Sequence, residues 1–178
     1  YDDLNRPIRK WVRDKSGEPF TLRERLIYGD SADSGLTIAQ AANNNLLGNL
    51  YRHYDEAGLL EISNYDFRGN ILEKSRKTIR DDVVLSVFTP APANWQVNIF
   101  RVDWQHPSGS DLDTHATMLL DATVFQTSLQ YDALNRVKRM RYPEDVDGER
   151  KELLPDYNRA GALESVIMDG DDYVQHIA

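Results

Sequence analysis

Alternating apolar and polar residues recur in short runs along most of the chain, and polar turn sequences separate the runs. In residues 19–28, Phe20, Leu22, Leu26 and Tyr28 share one face, with Arg and Glu on the other. A period of two is typical of a strand with one buried and one solvated face. The same pattern predicts strands over residues 6–13, 46–53, 59–64, 70–80, 95–104, 123–130, 136–142, 152–156, 163–167 (with Leu163 and Ile167 on one face) and 173–178.

A five-residue motif, Tyr-Asp-x-x-Asn/Gly, occurs five times along the chain, once with Asn in place of Asp. Self-similarity of this kind indicates a repeat architecture. The first, second and fifth positions of the copies are Tyr1, Asp2 and Asn5; Tyr54, Asp55 and Gly58; Tyr65, Asp66 and Gly69; Tyr131, Asp132 and Asn135; Tyr157, Asn158 and Gly161.

The motif has the chemistry of a hairpin turn. Asp at the first turn position accepts a hydrogen bond from the main chain two residues on, and Asn or Gly takes the left-handed conformation that closes the hairpin. The preceding Tyr suits a strand, where its ring covers the sheet and its hydroxyl stays near water. We therefore interpret these residues as structural. They predict a mainly β chain, an antiparallel β-hairpin meander with one or two short helices in insertions.

Two segments depart from the strand pattern. Residues 37–44 are rich in Ala and begin at Thr37, a good N-cap residue, which predicts a helix of two or three turns. Residues 81–121 form an insertion between repeats, in which Ser110 or Asp111 caps a second short helix. Pro143 is expected to end the strand over residues 136–142. Residues 1–178 are expected to be a single repeat segment cut from a larger protein.

The charge of the chain argues against a nucleic-acid partner. The net charge is -8 and the pI is about 5.0, whereas phosphate binding needs a basic surface. The chain has no cysteine, which excludes disulfides and cysteine-bearing zinc sites. No apolar run reaches the ~20 residues that cross a bilayer, and no signal-peptide pattern is present.

No catalytic, metal or cofactor site is predicted. The four histidines lack a metal-ligand spacing, and neither a Gly-rich phosphate loop nor a nucleophile elbow is present. Asp145-x-Asp147-Gly148 is similar to the middle of a calcium loop, but Pro143 and Leu154 stand where ligands belong at its two ends. An ordinary Asp-Gly turn is the better interpretation.

Two other functions stay open. The 29 acidic residues offer carboxylate pairs for glycoside hydrolysis, although most of them occupy turns or alternate with Lys and Arg. Trp11, Trp95 and Trp104 offer stacking surfaces for a carbohydrate- or cell-surface-binding β module. At strand positions, core packing is the better interpretation of these tryptophans.

Longer strings around the motif resemble the RHS/YD-repeat family, most of all the B component of insecticidal toxin complexes and related large RHS proteins. The strings are YDEAGLLEISNYDFRGNILEKSR from Tyr54, YDALNRVKRMRYP from Tyr131 and YNRAGALESV from Tyr157. The helix before LYRHYD fits the same pattern. The resemblance runs from about Thr37 to the end and is weakest over residues 81–121.

In that family the repeats form a strip of hairpins that spirals into a hollow β-shell around a toxin or another cargo polypeptide. The resemblance implies a non-enzymatic wall segment of a secreted or extracellular virulence protein, whose partners are neighbouring repeats and the enclosed polypeptide. The family's self-cleavage signature, Pro-x-x-x-x-Asp-Pro-x-Gly, has no match here, so no protease or toxin activity is implied. Because an excised strip leaves two sheet edges open, self-association is also expected.

Overall fold

The computed structural model describes residues 1–89 and 99–177. Its strands are β1 (Arg9–Val12), β2 (Thr21–Tyr28), β3 (Leu50–Asp55), β4 (Gly58–Tyr65), β5 (Ile71–Thr78), β6 (Phe125–Tyr131), β7 (Val137–Glu144), β8 (Arg150–Tyr157), β9 (Leu163–Met168) and β10 (Asp171–Val174). They form one ten-stranded sheet in which the order of the strands is their order in the sequence. The predicted antiparallel hairpin meander is therefore confirmed.

Both predicted helices are present. The first, α1 (Ile38–Asn43), starts with a capping box, in which Gln40 N donates to Thr37 Oγ1 at 3.2 Å and Thr37 N donates to Gln40 Oε1 at 2.8 Å. A further single turn, α2 (Asp81–Val84), follows β5. In α3 (Leu112–Leu119) the cap is Asp111, whose Oδ1 accepts from Thr114 N at 2.7 Å.

Four strand predictions are wrong in detail, one of them the last strand, which was predicted over residues 173–178 and is observed over Asp171–Val174. Residues 46–49 form a turn, so β3 begins only at Leu50. Residues 99–104 contain no strand, and Trp95 lies outside the described residues, as does Ala178. Pro143 does not end β7, because the pairing with β8 shifts between Arg141 and Glu144 and leaves Pro143 in the irregularity. Proline is tolerated there since the ladder needs no amide donor at that point.

The chain divides into two compact units, and strands β4 and β5 contribute to both. Unit 1 contains residues 1–61 and 76–123, and unit 2 contains residues 62–75 and 124–178. That residues 1–178 form a single repeat segment stays a prediction.

The core of unit 1 is built around Trp104, which is 0% exposed. Its ring meets the ring of Tyr54 edge-on with centroids 5.0 Å apart, and its indole Nε1 donates to Asp55 O at 3.1 Å. Its main-chain N donates to Leu22 O at 2.8 Å, next to a bond from Leu22 N to Asp103 Oδ1. Part of the predicted insertion therefore covers strands of the sheet. Trp104 is a core residue, whereas Trp11 is 43% exposed.

The predicted buried face of β2 is confirmed at Leu22 and wrong elsewhere, since Leu26 and Tyr28 are only half-buried. Phe20, placed on that face, precedes the strand and is exposed, whereas Arg23 and Arg25 are buried together with Ile27. The cause is a bulge: Lys10 pairs with Glu24 and Trp11 with Leu22, which leaves Arg23 as an extra residue on β2. A bulge re-aims the side chains around it. The buried Arg23 guanidinium is compensated by Asp14 at 3.0 Å and Glu56 at 2.9 Å.

Unit 2 has a much thinner core. Among its described residues the buried hydrophobic side chains are Ile62, Tyr65 and Val166. In β9 the buried side chain is Val166. The face predicted to be buried carries Leu163 and Ile167, and Leu163 is exposed. The β8–β9 register shifts where Asp156 pairs with Ser165 and Tyr157 with Leu163, which leaves Glu164 as an extra residue within that face. A sheet gains its stability from a layer packed on one face, and unit 2 carries little of such a layer by itself.

Trp104→Ala is expected to destabilise unit 1 strongly, by about 3–5 kcal/mol, because the substitution leaves a large cavity and removes the indole donor. Urea unfolding followed by far-UV circular dichroism measures the loss. Trp11→Ala is the matched control, since this side chain is partly exposed. Equal costs for the two variants would contradict the assignment of Trp104 as the centre of the core.

Candidate functional site

The turn at Tyr131 shows how the repeat motif works. Asn135 N donates to Asp132 O at 3.0 Å, and Asp132 N donates to Arg136 O at 2.9 Å. One carboxylate oxygen, Asp132 Oδ1, accepts from both Leu134 N and Arg136 N at 2.9 Å. Asn135 has a φ of 68°, which is the left-handed conformation that the turn requires. The motif therefore closes the hairpin with its own side chain.

The same set of bonds recurs at three more copies. Oδ1 of the second motif residue accepts two main-chain amides in each of them, at 3.0 and 2.8 Å for Asp2, 2.8 and 2.9 Å for Asp66, and 3.0 and 3.0 Å for Asn158. The fifth residues Asn5, Gly69 and Gly161 have φ of 59°, 85° and 85°. The Asn158 copy shows that an amide oxygen serves as well as a carboxylate.

A turn of the same kind lies at Asp145, outside the five predicted copies. Asp145 Oδ1 accepts from Asp147 N at 3.0 Å and from Glu149 N at 3.1 Å, and Gly148 has a φ of 79°. The predicted Asp-Gly turn is therefore confirmed, but its likeness to the motif turns was not predicted, because Glu144 stands where the motif has Tyr. The spacing Asp-x-x-Gly alone would have found it.

The Tyr54 copy is built differently. Asp55 and Gly58 belong to β3 and β4 and face each other in the ladder, so the turn contains only two residues. Gly58 has a φ of 126°, and a Cβ at this position would lie 2.1 Å from the carbonyl oxygen of Lys77. The glycine is required here by a close approach of backbone.

The side chains of this copy also point to other partners. Asp55 makes a two-pronged ion pair with Arg76. Burial tends to raise the pKa of the Asp55 carboxyl, but Arg76 and the Ala57 amide outweigh it and hold the pKa below its ordinary value. The Tyr54 hydroxyl donates to Asp113 Oδ1 of α3 at 3.3 Å, and burial raises the pKa of Tyr54 to about 12.

Tyrosine hydroxyls join neighbouring turns side to side. In unit 2, Tyr131 Oη donates to Ile71 O at 3.2 Å, and Tyr157 Oη donates to Val137 O at 2.9 Å. Each acceptor is the sixth residue after the Tyr of the preceding copy. In unit 1, Tyr28 Oη donates to Pro7 O, also six residues after a motif Tyr, at 3.2 Å. Tyr28 therefore takes the motif role without belonging to a predicted copy.

At three of the turns, the residue that follows the turn adds a second lateral contact. Arg6 binds its own turn at Asp2 and lies over the ring of Tyr28 at 4.0 Å. Arg136 does the same, with its guanidinium on Asp132 and 4.4 Å from the centroid of Tyr157. At the Tyr65 copy Asn70 replaces the arginine and hydrogen-bonds Asn135 of the next turn. The contacts of the two arginines combine a salt bridge with a cation–π interaction.

Hydrogen bonding lowers the pKa of three turn carboxylates, those of Asp2, Asp66 and Asp132. The amide of Arg6 and that of Arg136 lower the pKa of Asp2 and of Asp132, and the side chain of Asn70 lowers the pKa of Asp66. Hydrogen bonds to the charged form stabilise it relative to the acid. Such groups are poor proton donors at neutral pH.

The structure places the motif residues along the ends of strands. In unit 2 the turns at Tyr65, Tyr131 and Tyr157 join β4–β5, β6–β7 and β8–β9 and lie at one end of the strands, and the turn at Asp145 lies at the other. In unit 1 the turn at Tyr1 precedes β1, and the turn at Tyr54 lies at the opposite end of the strands.

The part of the chain that the structure describes contains neither a metal-binding cluster nor a membrane-spanning helix. Residues 1–89 and 99–177 hold no group of three or more His, Asp or Glu side chains arranged to bind a metal ion. Within the same ranges, no helix has the length and apolarity needed to cross a membrane.

Comparison with known proteins gives matches among solved structures. The chain is similar to a crystal structure of TcdB2-TccC3 with Cdc42 (TM-score 0.63, 18% identity over 92% of this chain and 6% of that chain). A second is TcdB2-TccC3 without its hypervariable C-terminal region (TM-score 0.66, 15% identity, 96% and 7%), and a third is a Tc holotoxin pore from Photorhabdus luminescens (TM-score 0.64, 16% identity, 94% and 6%).

These likenesses concern the fold. The chain spans about 6 to 7% of the length of the toxin-complex chains that it matches. No protein-family model matches the sequence, and no curated protein matches it either.

Tyr157→Phe is expected to lower the free energy of unfolding by about 0.5–1.5 kcal/mol, because it removes the bond to Val137 O and keeps the ring beside Arg136. Tyr173→Phe, at an exposed tyrosine of β10, is the control and should leave stability unchanged. Urea unfolding measures both. No difference between the two variants would mean that the hydroxyl contributes nothing to the lateral linkage.

Asp132→Asn is expected to keep the turn and to weaken the acid dependence of stability. The folded-state pKa of Asp132 lies below the unfolded value of about 3.9. Its contribution is therefore present above that value and is lost as the pH falls through the folded pKa. Thermal unfolding between pH 6 and pH 2 should show a smaller decrease for Asp132→Asn than for the wild type. Asp147→Asn, at the tip of another turn, is the control, and an equal effect would contradict the assignment.

Proposed function

We propose that this chain is a non-enzymatic wall segment of an RHS-type β-shell that encloses and helps to deliver a toxin or another cargo polypeptide. The observation that carries the proposal is the lateral linkage of successive turns by tyrosine hydroxyls and arginines. A linkage that repeats from hairpin to hairpin extends a sheet in one direction without a closed core. The likeness in fold to toxin-complex structures supports the same conclusion.

The thin core of unit 2 also suits a wall. A sheet with few buried side chains has two faces left for other layers, one for solvent or neighbouring repeats and one for the enclosed polypeptide. The proposed partners are therefore neighbouring repeats of the parent protein and the cargo. The proposed location of the parent protein is extracellular or secreted, as for toxin complexes.

The state of the carboxylates supports a non-enzymatic role. A general acid needs a raised pKa, whereas the pKa values of Asp2, Asp66 and Asp132 are lowered by the bonds that close their turns. The acids that the repeats supply are thus engaged in structure. This favours a wall over a hydrolase.

The direct test uses the longer polypeptide that the proposal requires. Electron cryomicroscopy of that protein should show hairpins continuing on both sides of this chain and closing around a second polypeptide. Limited proteolysis should leave the enclosed polypeptide intact until the wall is denatured. A wall that encloses nothing, or flanking sequence without further Tyr-Asp-x-x-Gly turns, would contradict the proposal.

An alternative proposal is a carbohydrate- or cell-surface-binding module, and the partly exposed Trp11 is the observation that favours it. Trp104 is buried and offers no face to a sugar. A glycan array with the wild type and Trp11→Ala decides between the two proposals. Binding that the variant loses would support the module, and uniformly absent binding would remove it.

The isolated chain is expected to self-associate through its edge strands, and Trp11→Lys on β1 should reduce this association, because lysine on an edge opposes strand pairing. Val146→Lys is the matched control, since it adds the same charge at a fully exposed turn position. Sedimentation velocity at rising concentration measures both. A wild type that stays monomeric throughout would contradict the expectation.

A further inference from the structure

A cavity of about 430 Å³ opens in unit 1 beside strands β1 and β2. Leu22 and Ile27 line it together with Arg9 and Arg25. The segment from Trp104 to Asp113 forms the other side. The size is within the range of small-molecule sites, and the lining combines an apolar floor with a few polar groups.

The two arginines are an unusual pair. Arg9 on β1 lies directly opposite Arg25 on β2 in the ladder. Side chains of directly opposed residues stand on the same face about 5 Å apart, and like charges in that position destabilise a sheet. Lys10, the neighbour of Arg9, binds Glu24 at 2.7 Å. On the other face the positive charge of Lys10 therefore has an acidic partner, whereas on the cavity side Arg9 lies opposite a second positive charge.

Arg25 has a buried guanidinium that is only partly paired. The residue is 8% exposed, and its Nη1 is buried with no hydrogen-bond partner among the described residues. Its Nη2 binds Asp33. Burial and the charge of Arg9 lower the pKa of Arg25, and the charge of Asp33 opposes this shift only in part. An unpaired donor on a buried charge is costly, and an anion relieves that cost.

Two of the three acidic residues that line the cavity are engaged elsewhere. Asp111 caps α3, where it binds Thr114 N and Thr114 Oγ1. Asp113 accepts from Arg52 and from the Tyr54 hydroxyl, each at 3.3 Å. Asp33 binds only one of the two Nη atoms of Arg25, and its side chain is largely exposed.

We propose that this cavity binds a carboxylate, with its oxygens on Arg9 and on the unpaired side of Arg25 and its carbon chain against Leu22 and Ile27. The planar fork of arginine fits the two oxygens of a carboxylate. The apolar floor favours a carboxylate on a short aliphatic stem, as in glutarate or in a glutamate side chain, over inorganic phosphate. The site does not depend on a shell, and it exists in the isolated chain.

The test is a titration of the 178-residue chain with three probes: glutarate, glutamate blocked as N-acetyl amide, and inorganic phosphate. Two-dimensional ¹H–¹⁵N spectra follow the arginine Nε–H signals and the indole signal of Trp104. Saturable shifts with glutarate and blocked glutamate, and weaker binding of phosphate, are expected. Binding of glutarate alone assigns the site to free carboxylates, and binding of blocked glutamate shows that an acidic side chain of a polypeptide can occupy it.

Three variants make the test specific. Arg9→Gln is expected to weaken binding about tenfold, because it removes one charge-assisted bond. Lys10→Gln removes the same charge from the opposite face of β1 and should leave binding unchanged. Asp33→Asn should tighten binding, since it frees the Arg25 guanidinium from a competing carboxylate. These positions are used because substitution of the buried Arg25 risks the fold.

Any of three results overturns the proposal: no saturable shift with either carboxylate, equal weakening by Arg9→Gln and Lys10→Gln, or tighter binding of phosphate than of both carboxylates. The first result removes the site. The second reduces it to a general effect of charge, and the third replaces the carboxylate by a tetrahedral anion.

Discussion

A single side-chain oxygen that accepts two main-chain amides is the interaction on which the repeats depend. It occurs at Asp2, Asp66, Asp132, Asp145 and Asn158 with almost the same distances. The two hydrogen bonds come from the amides two and four residues further along the chain, on either side of the left-handed residue. Each hairpin therefore closes with local contacts only. Loop closure over so short a distance costs little entropy. The lateral bonds of Tyr131 and Tyr157 then hold one closed turn against the next.

The local part of this arrangement could be predicted from the sequence. The meander, α1 with its Thr37 cap and the conformation of the Asn135 and Gly69 turns all follow from contacts within a few residues. The lateral part could not be predicted. The acceptor of the Tyr131 hydroxyl is Ile71 O, 60 residues away, and a main-chain carbonyl carries no signal in the sequence. Tyr28 was missed for the same reason, because it has the role of a motif tyrosine without the motif.

The Tyr54 copy shows that an identical motif can serve two structural purposes. Its Asp55 has the right neighbours for a self-closed turn, yet Arg76 and Lys77 of β5 decide its conformation. Arg76 draws the carboxylate into an ion pair, and the Lys77 carbonyl leaves room for no side chain at Gly58. The prediction of the buried face of β2 is wrong beyond Leu22 for a related reason, because one extra residue at Arg23 changes which side chains point inward. Bulges and distant strands are tertiary effects, and alternation within one strand does not encode them.

The two units differ in what stabilises them, and the difference follows from the same constraint. Turn closure and lateral bonds determine how hairpins are joined, but they bury little apolar surface. Unit 1 gains its core from outside the repeats, chiefly from Trp104 and the segment that carries it. Unit 2 has the regular turns and only a few buried side chains. Because the constraint uses few positions in each hairpin, most other positions are free to vary. The same fold is therefore compatible with sequences that have little else in common.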